Sequence, residues 1–338
     1  MSSSAPVPQS APAEPGTGPE LVAAVDIGGT KIAAALVDAA GTLVARTQRP
    51  TPATAPAEAV LGAVLDAVEE LAAHPRWSAA AALGIGSAGP VDAAAGTVSP
   101  VNIAAWRGFP LVERVAGHPA VRVPVALLGD GVAIAEAEAW RGAAAGYRNA
   151  LCMVVSTGVG GGLVLDGAVY AGPSGNAGHI GHITVGMDGP PCPCGSRGCV
   201  EVYASGTAIA RYAAEQGLRP PDGDTTAAAV ATAALAGDAV ALAAYDRAAR
   251  ALAAGIAATA TLVELEAVVI GGGVAQSGPV LFDPLARHLA SYAALPFTHG
   301  IRLHPARLGT DAGLVGAAAA AMRLAGTPGP RPADLTRA

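Results

Sequence analysis

Lysine is nearly absent from this 338-residue chain: of its 20 basic residues, only Lys31 is not arginine. A general bias toward arginine accounts for the background. It does not account for where the one ammonium survives, inside a glycine turn, where a compact point charge differs from a planar guanidinium fork; chance survival is the plain alternative. Cysteine is scarce too, four residues in all, too few and too clustered for a disulfide scaffold. Charged residues make up 14 %, and 20 basic against 26 acidic groups leave a net charge of −6, which excludes the basic face that nucleic-acid phosphates demand. The chain is 52 % hydrophobic, enough to rule out wholesale disorder, yet alanine dominates that count. No run of about 20 large apolar residues occurs, so no membrane span is expected.

The first twenty residues, MSSSAPVPQSAPAEPGTGPE, lack a basic start and an apolar core, and their Ser, Pro, Ala and Gly content reads as a disordered tail, not a signal peptide. The stretch after Gly326 is Pro-rich and reads as a second loose tail. A cytoplasmic location is the default. At about 100–200 residues per domain, the remainder has room for two.

Order is expected to begin at Leu21. LVAAVDIGGTKIAAALVDAAGTLVART reads as two apolar strands around Gly28-Gly29 and a third strand after Ala40-Gly41. A helix follows from Pro56, a first-turn proline, to His74, with Val60, Leu61, Val64, Leu65 and Val68 at helical spacing. Strand AALGIGSAG, a loop, a short helix near Leu111, strand VPVALLGD and helix AIAEAEAWRGAA come next. A similar pattern then restarts: strand LCMVVS, the glycine cluster through Gly162, strand LVLDGAVY with its Asp166-Gly167 turn, a cysteine-rich loop, Ala-rich helices from Gly206 to Ala260, strand AVVIGGG and a last helix over Leu314–Ala325. Two strand–glycine turn–strand units, each followed by α/β segments, point to a duplicated α/β fold with a cleft between its halves.

Three glycine turns end apolar strands. In Asp26-Ile27-Gly28-Gly29-Thr30-Lys31 the glycines let the backbone bring N–H groups against phosphate oxygens, Thr30 and Lys31 add donors, and Asp26 is placed to hold Mg²⁺ through water. It is neither a Walker A loop nor a dinucleotide fingerprint, and alone it is as consistent with an ordinary hairpin. Ser156-Thr157-Gly158-Val159-Gly160-Gly161-Gly162 repeats the logic, and Gly271-Gly272-Gly273 offers bare backbone to an adenosine. Together they favour a nucleotide cleft. His182, Cys192, Cys194 and Cys199, spaced by Gly195 and Gly198, make one imidazole and three thiols, the composition of a closed structural zinc site; a disulfide within the set is the alternative, which a reducing compartment disfavours. Cys152, alone in a strand, reads as a small buried apolar residue.

DIGGTK, STGVGGG, AGHIGH, CPCGSRGC and EVYASGTA resemble the ROK family of sugar kinases and related repressors, over about Leu21 to Ala325. The resemblance implies an actin-like, hexokinase-like fold of two α/β domains, 21–132 and 133–312, with the helix over 313–326 packing back on the first and a zinc loop over 182–199. It implies a sugar in the cleft with ATP and Mg²⁺ nearby, a dimer or tetramer, and His182 as both zinc ligand and sugar neighbour. It makes Asp130, at the end of VPVALLGDG, the base that takes the sugar hydroxyl proton; on sequence alone a helix N-cap is the simpler reading of that residue. Asn102 and Glu201 match the family's sugar contacts, although Asn102 also suits an Asx-turn and Glu201 a solvated surface; Gly89 lets the backbone approach the sugar, and His179 stands at a sugar-facing position. Two departures stand out. The family's usual Asn-Asp-Ala-Asn is Gly129-Asp130-Gly131-Val132 here, and His179 replaces a common glutamate, exchanging a pure acceptor for a group able to donate near the sugar's C1–C2 edge. The AGHIGH segment is similar to that of the family's N-acetylmannosamine kinases. The expected activity is therefore ATP-dependent phosphorylation of the 6-hydroxyl of a hexose or N-acylhexosamine. A non-catalytic sugar sensor is the alternative; a repressor would need a basic recognition helix before the first turn, and none is present.

Overall fold

A strand buried on both faces must be apolar at nearly every position, and Leu21–Ile27 is so except at Asp26. In the computed structural model, which describes residues 20–219 and 223–326, this segment is the central strand β1 of the first of two five-stranded sheets. The tails expected over 1–20 and 327–338 lie outside the described residues, Glu20 excepted. The first sheet comprises β1 (Leu21–Ile27), β2 (Lys31–Asp38), β3 (Leu43–Pro50), β4 (Leu83–Ser87) and β7 (Val125–Gly129), with helix α1 (Ala57–Ala72), the hairpin β5 (Val91–Asp92) and β6 (Thr97–Val98), and helix α2 (Leu111–Ala116) between them. Helix α3 (Asp130–Arg141) then leads to the second sheet: β8 (Ala150–Val155), β9 (Val159–Leu165), β10 (Ala168–Tyr170), β11 (Ala267–Gly271) and β12 (Arg302–Pro305). Its helices are α4 (Glu201–Ala204), α5 (Gly206–Glu215), α6 (Ala227–Leu235), α7 (Ala239–Val263) and α8 (Pro279–Tyr292), and α9 (Ala312–Leu324) closes the chain.

The duplication is literal. The strand orders are β3-β2-β1-β4-β7 and β10-β9-β8-β11-β12, and in each the first two pairings are antiparallel and the last two parallel. This is the actin-like, hexokinase-like arrangement. Alternation along β1 explains how each sheet is covered. Leu21, Ala23, Val25 and Ile27 join the core under α1, whereas Val22 and Ala24 meet α9. Along β8, Leu151, Met153 and Val155 enter the core with α7 and α8, and Ala150 and Cys152 face α3. Outer faces carry the large side chains; inner faces carry small ones.

Small inner faces let α9 and α3 stack between the sheets at backbone distance. A Cβ at Gly84 of β4 would overlap the Ala317 carbonyl of α9, one at Gly316 of α9 would overlap the Ala133 carbonyl of α3, and one at Gly131 of α3 would overlap the Gly161 carbonyl of β9. A bidentate ion pair from Arg323 to the buried Glu136 ties α9 to α3.

Several sequence expectations shift. Pro56 occupies the N-cap of α1, not its first turn. α3 starts at Asp130, three residues before the expected AIAEAEAW helix, so the expected division at 132 falls inside a helix that packs on α9 and on β9. Gly271–Gly273 leads first into a 3-10 turn, Val274–Ser277, before α8. β5, β6 and β12 lie outside the expected strands, whereas α8 is the helix expected after Gly271–Gly273, its helical spacing carried by Leu281, Leu285 and Leu289 around an internal Pro284. Among the described residues no single helix is long and apolar enough to cross a membrane.

Gly316→Ala is expected to lower the urea midpoint by the equivalent of about 2 kcal/mol or more, because backbone faces backbone and neither can yield. Gly62→Ala, in α1 with no heavy atom within 4 Å of the new Cβ, is expected to raise stability by up to about 1 kcal/mol. Equal midpoints for the two variants would contradict the stacking account.

Candidate active site

β7 ends at Gly129 and α3 begins at the next residue, so the strand's direction delivers Asp130 to the mouth of the space between the sheets. Gly129 is the N-cap and Asp130 the first helical residue, so the carboxylate is not consumed by capping. Its Oδ1 accepts one hydrogen bond, from the Gly131 N–H at 2.7 Å. It opens on a pocket lined by Gly89, Gly129, Gly131, Val132, Gly160, Gly161, Gly175, Asn176, Ala177 and His179. The side chain is exposed at that pocket, with protein packed close around its other sides. This desolvation pushes its pKa above the ordinary carboxylate range, against the Gly131 N–H and the charge of nearby His179.

Asp26, near the end of β1, is the second carboxylate of the cleft. Its Cγ lies where a side chain on Gly313 would go, 2.5 Å from that absent Cβ, so α9 can meet β1 here only through glycine. Burial first, then repulsion from Asp130, raises its pKa to about 6, with Lys31 and Arg46 opposing. Asp26 and Asp130 thus share one electrostatic environment, and a cation entering the cleft would find both.

The first glycine turn is held from outside. Gly28 N–H donates to the Lys31 carbonyl, Thr51 Oγ1 donates to the Gly28 carbonyl at 2.7 Å, and the Asn102 side chain lies against Gly29, its Cγ 2.8 Å from where a Cβ would be. Thr30 is exposed, and Lys31 opens β2, half-buried. The second turn is tighter than the sequence implied: it spans Ser156–Gly158, and Gly160 lies in β9, where it lines the Asp130 pocket. Gly161 and Gly162 are backbone contacts for α3, a packing role. Thr207 Oγ1 donates to the Thr157 carbonyl at 2.6 Å, Gly206 N–H donates to the Ser156 carbonyl at 2.7 Å, and Glu201 Oε2 accepts the Val159 N–H at 2.9 Å beside Gly158. Glu201 is therefore a brace of the second turn, not a solvated surface group. In the third turn Gly272 adopts φ +91° against the Val155 carbonyl, at the end of the strand that leads into the second turn, and Gly273 faces open space.

Asn176 and Gly313 escaped the sequence reading. The Asn176 carboxamide accepts from Val91 N–H at 3.0 Å and donates to the Val91 carbonyl at 2.6 Å, tying the 172–178 loop to the β5–β6 hairpin. Its signal was local: Gly175 and Gly178, both at positive φ, frame it immediately before His179. A Cβ at Gly89 would meet only ordinary contacts, including His179 Cε1 at 3.8 Å, so packing does not impose glycine there. Packing does impose Gly131, whereas at Gly129 a Cβ would meet nothing closer than the Gly175 carbonyl at 3.4 Å.

Beside the pocket, the ligand atoms of His182, Cys192, Cys194 and Cys199 all lie within 4.8 Å of one another. Cys192 Sγ is 3.7 Å from His182 Nδ1 and Cys194 Sγ is 3.8 Å from Cys199 Sγ, and all four cysteines of the chain are free thiols. Burial pushes Cys199 up to about 12, while the Ser196 backbone holds Cys194 down. A soft dication is what would bring three thiols to thiolates at one point, and the donor set fits zinc. Gly195 at φ +94° and Gly198 at φ +64° fold the loop; a Cβ at the latter would overlap the Gly186 carbonyl. His179 and His182 stack with ring centroids 6.0 Å apart, so the loop abuts the Asp130 pocket. Cys152 is fully buried, its thiol far above the usual range, as a packing residue should be.

The family model described as "ROK family" matches residues 22–323. The glucokinase of Halalkalibacterium halodurans is 36 % identical over 306 residues, 86 % of this chain and 92 % of that protein. The N-acetylmannosamine kinase of Shigella flexneri is 38 % identical over 299 residues, 88 % and 97 % of the two chains. The crystal structure of a ROK family glucokinase from Streptomyces griseus, in complex with glucose and AMPPNP, superposes with a TM-score of 0.77 at 36 % identity, over 90 % of this chain and 99 % of that one. With likeness of this extent in sequence and in fold, the chain belongs to the ROK family.

Proposed function

We propose that this ROK sugar kinase transfers the γ-phosphoryl group of MgATP to the 6-hydroxyl of a hexose or N-acylhexosamine, glucose and N-acetylmannosamine foremost. The observation that carries the reading is Asp130: a carboxylate at a strand–helix junction, accepting one short hydrogen bond and open to a pocket between two duplicated sheets. Phosphoryl transfer asks the protein for position, charge and a base at the nucleophile, and Asp130 supplies the last. A pKa above the ordinary carboxylate range makes its ionised form a stronger base.

In this reading Asp26, through water, holds the Mg²⁺ of the nucleotide, and Gly28, Gly29, Thr30 and Lys31 meet the phosphates. Thr157, Gly158 and Gly160 approach them from the other sheet, and Gly271, Gly272 and Gly273 flank the adenosine. Gly89, Asn102, His179, His182 and Glu201 surround the sugar. The unit 21–132 with the helix over 313–326, and the unit 133–312, form the two walls, and the substrates place the protein in the cytoplasm. His182, Cys192, Cys194 and Cys199 would hold one structural Zn²⁺, whose contribution is to fix the loop that sets His182 beside His179. A second reading, sugar binding without turnover, is favoured only by Gly129 standing where the family carries asparagine.

Four outcomes are expected. MgATP with a panel of hexoses and acylhexosamines releases ADP with at least one of them; sugar binding without ADP release throughout would leave the sensor reading. Asp130→Asn lowers kcat by about 10²–10⁴-fold with sugar affinity, by calorimetry, changed only a few-fold. Because the base works deprotonated, kcat/KM in the wild type falls as pH drops through a pKa above the usual carboxylate range. Finally, metal analysis finds one zinc per chain, and Cys194→Ser removes it and lowers the thermal midpoint; full zinc content in that variant would refute the ligand set.

A further inference from the structure

Outside the cleft, on the far side of the cysteine loop, Arg247 of α7 is clamped between two tyrosines. Its guanidinium lies 4.6 Å from the ring centre of Tyr203 and 4.7 Å from that of Tyr212. Arg247 is half-buried and makes no ion pair among the described residues. Burial first, then the neighbouring Arg211, holds its pKa below the usual arginine range. Arg211 itself is only loosely engaged: its Nε is 3.8 Å from Glu215 Oε1 and one terminal nitrogen reaches the Val202 carbonyl at 3.4 Å. Arg247, Arg211, Tyr212 and Glu215, with Pro190 and Pro191 of the cysteine loop, line a cavity of about 280 Å³.

We propose that this cavity is a second binding site, for a phosphoryl group either free or on a small phosphate monoester. Two guanidinium groups against one carboxylate, Glu215, leave a net positive charge. Stacking between two rings fixes the plane of the Arg247 fork, so its N–H groups are pre-organised for the paired oxygens of an oxyanion and lose little rotamer freedom on binding. An incoming anion replaces water around a partly desolvated cation whose nearby carboxylate, Glu215, is shared with Arg211. The volume lies near the roughly 300 Å³ at which pockets for drug-sized ligands begin, which fits a phosphoryl group or a small phosphate monoester. The neighbourhood is rigid enough to serve: Tyr203 Oη packs where side chains on Gly186 and Gly189 would be, and Tyr203 sits on the one-turn helix α4 whose first residue, Glu201, braces the second glycine turn.

The test is calorimetric titration of the full-length protein with inorganic phosphate and, separately, with glucose 6-phosphate, in the wild type and in Arg247→Gln and Arg211→Gln. The expected result is a binding event that Arg247→Gln weakens at least tenfold. Arg211→Gln, at an exposed side chain whose loss does not disturb the ring stack, weakens the same event several-fold. Inorganic phosphate binding as well as the ester marks the free ion as sufficient; binding of the ester alone marks a monoester site. Binding equally tight in all three proteins assigns the event to the cleft and overturns the proposal, as does the absence of binding to the wild type.

Discussion

Backbone pressed on backbone, through glycine, is the contact on which everything else in this molecule depends. From Gly84 to Ala317, from Gly316 to Ala133 and from Gly131 to Gly161, sheet, helix, helix and sheet approach until no Cβ fits between them. Interiors packed this closely transmit position with little slack. Asp130 is one residue from Gly131, and Asp26 lies against Gly313, so the two carboxylates of the cleft are positioned by the same contacts that hold the halves together. The composition follows from this requirement. An inner layer built of alanine and glycine needs large side chains only on the outer faces of the sheets, under α1 and under α7 and α8, which is why the chain is rich in apolar residues and poor in aromatic ones.

The site is assembled from many weak constraints, each local. Thr51 and Asn102 shape the first turn; Thr207, Gly206 and Glu201 shape the second; Asn176 binds the loop before His179 to the hairpin after Gly89. The carbonyls of Gly28, Ser156 and Thr157 each accept from a donor outside the turn, so both turns are held by their surroundings. The electrostatics follow the same economy. Two carboxylates, kept short of hydrogen bonds and partly desolvated, hold protons more tightly than free ones, which suits one to accept a proton and the other to face a cation.

The cysteine loop connects these regions. His182 belongs to the ligand set and stacks on His179, which lines the Asp130 pocket, while Gly186 and Gly189 press on Tyr203 beside the stacked Arg247. α4 carries Glu201 toward the second turn and Tyr203 toward the arginine cavity, so one helical turn touches both. A site for phosphate there would bear on the same loop that a metal would stiffen.

The sequence by itself determined the strands with their glycine turns, the duplication, the four candidate ligands of the cysteine loop and the position of Asp130 at a strand end, because each is written in short contiguous segments. Only the tertiary structure decided what the glycines are for. Gly28, Gly131, Gly161 and Gly313 look alike in sequence, yet the first turns a strand, Gly131 and Gly161 admit a backbone from elsewhere in the chain, and Gly313 admits the Asp26 carboxylate. It also decided that Glu201 braces a turn, that Asn176 bridges to Val91, and that Arg247 lies between Tyr203 and Tyr212, residues 44 and 35 positions away. These are contacts between distant segments, and no local periodicity records which surfaces will meet once two sheets close on two helices.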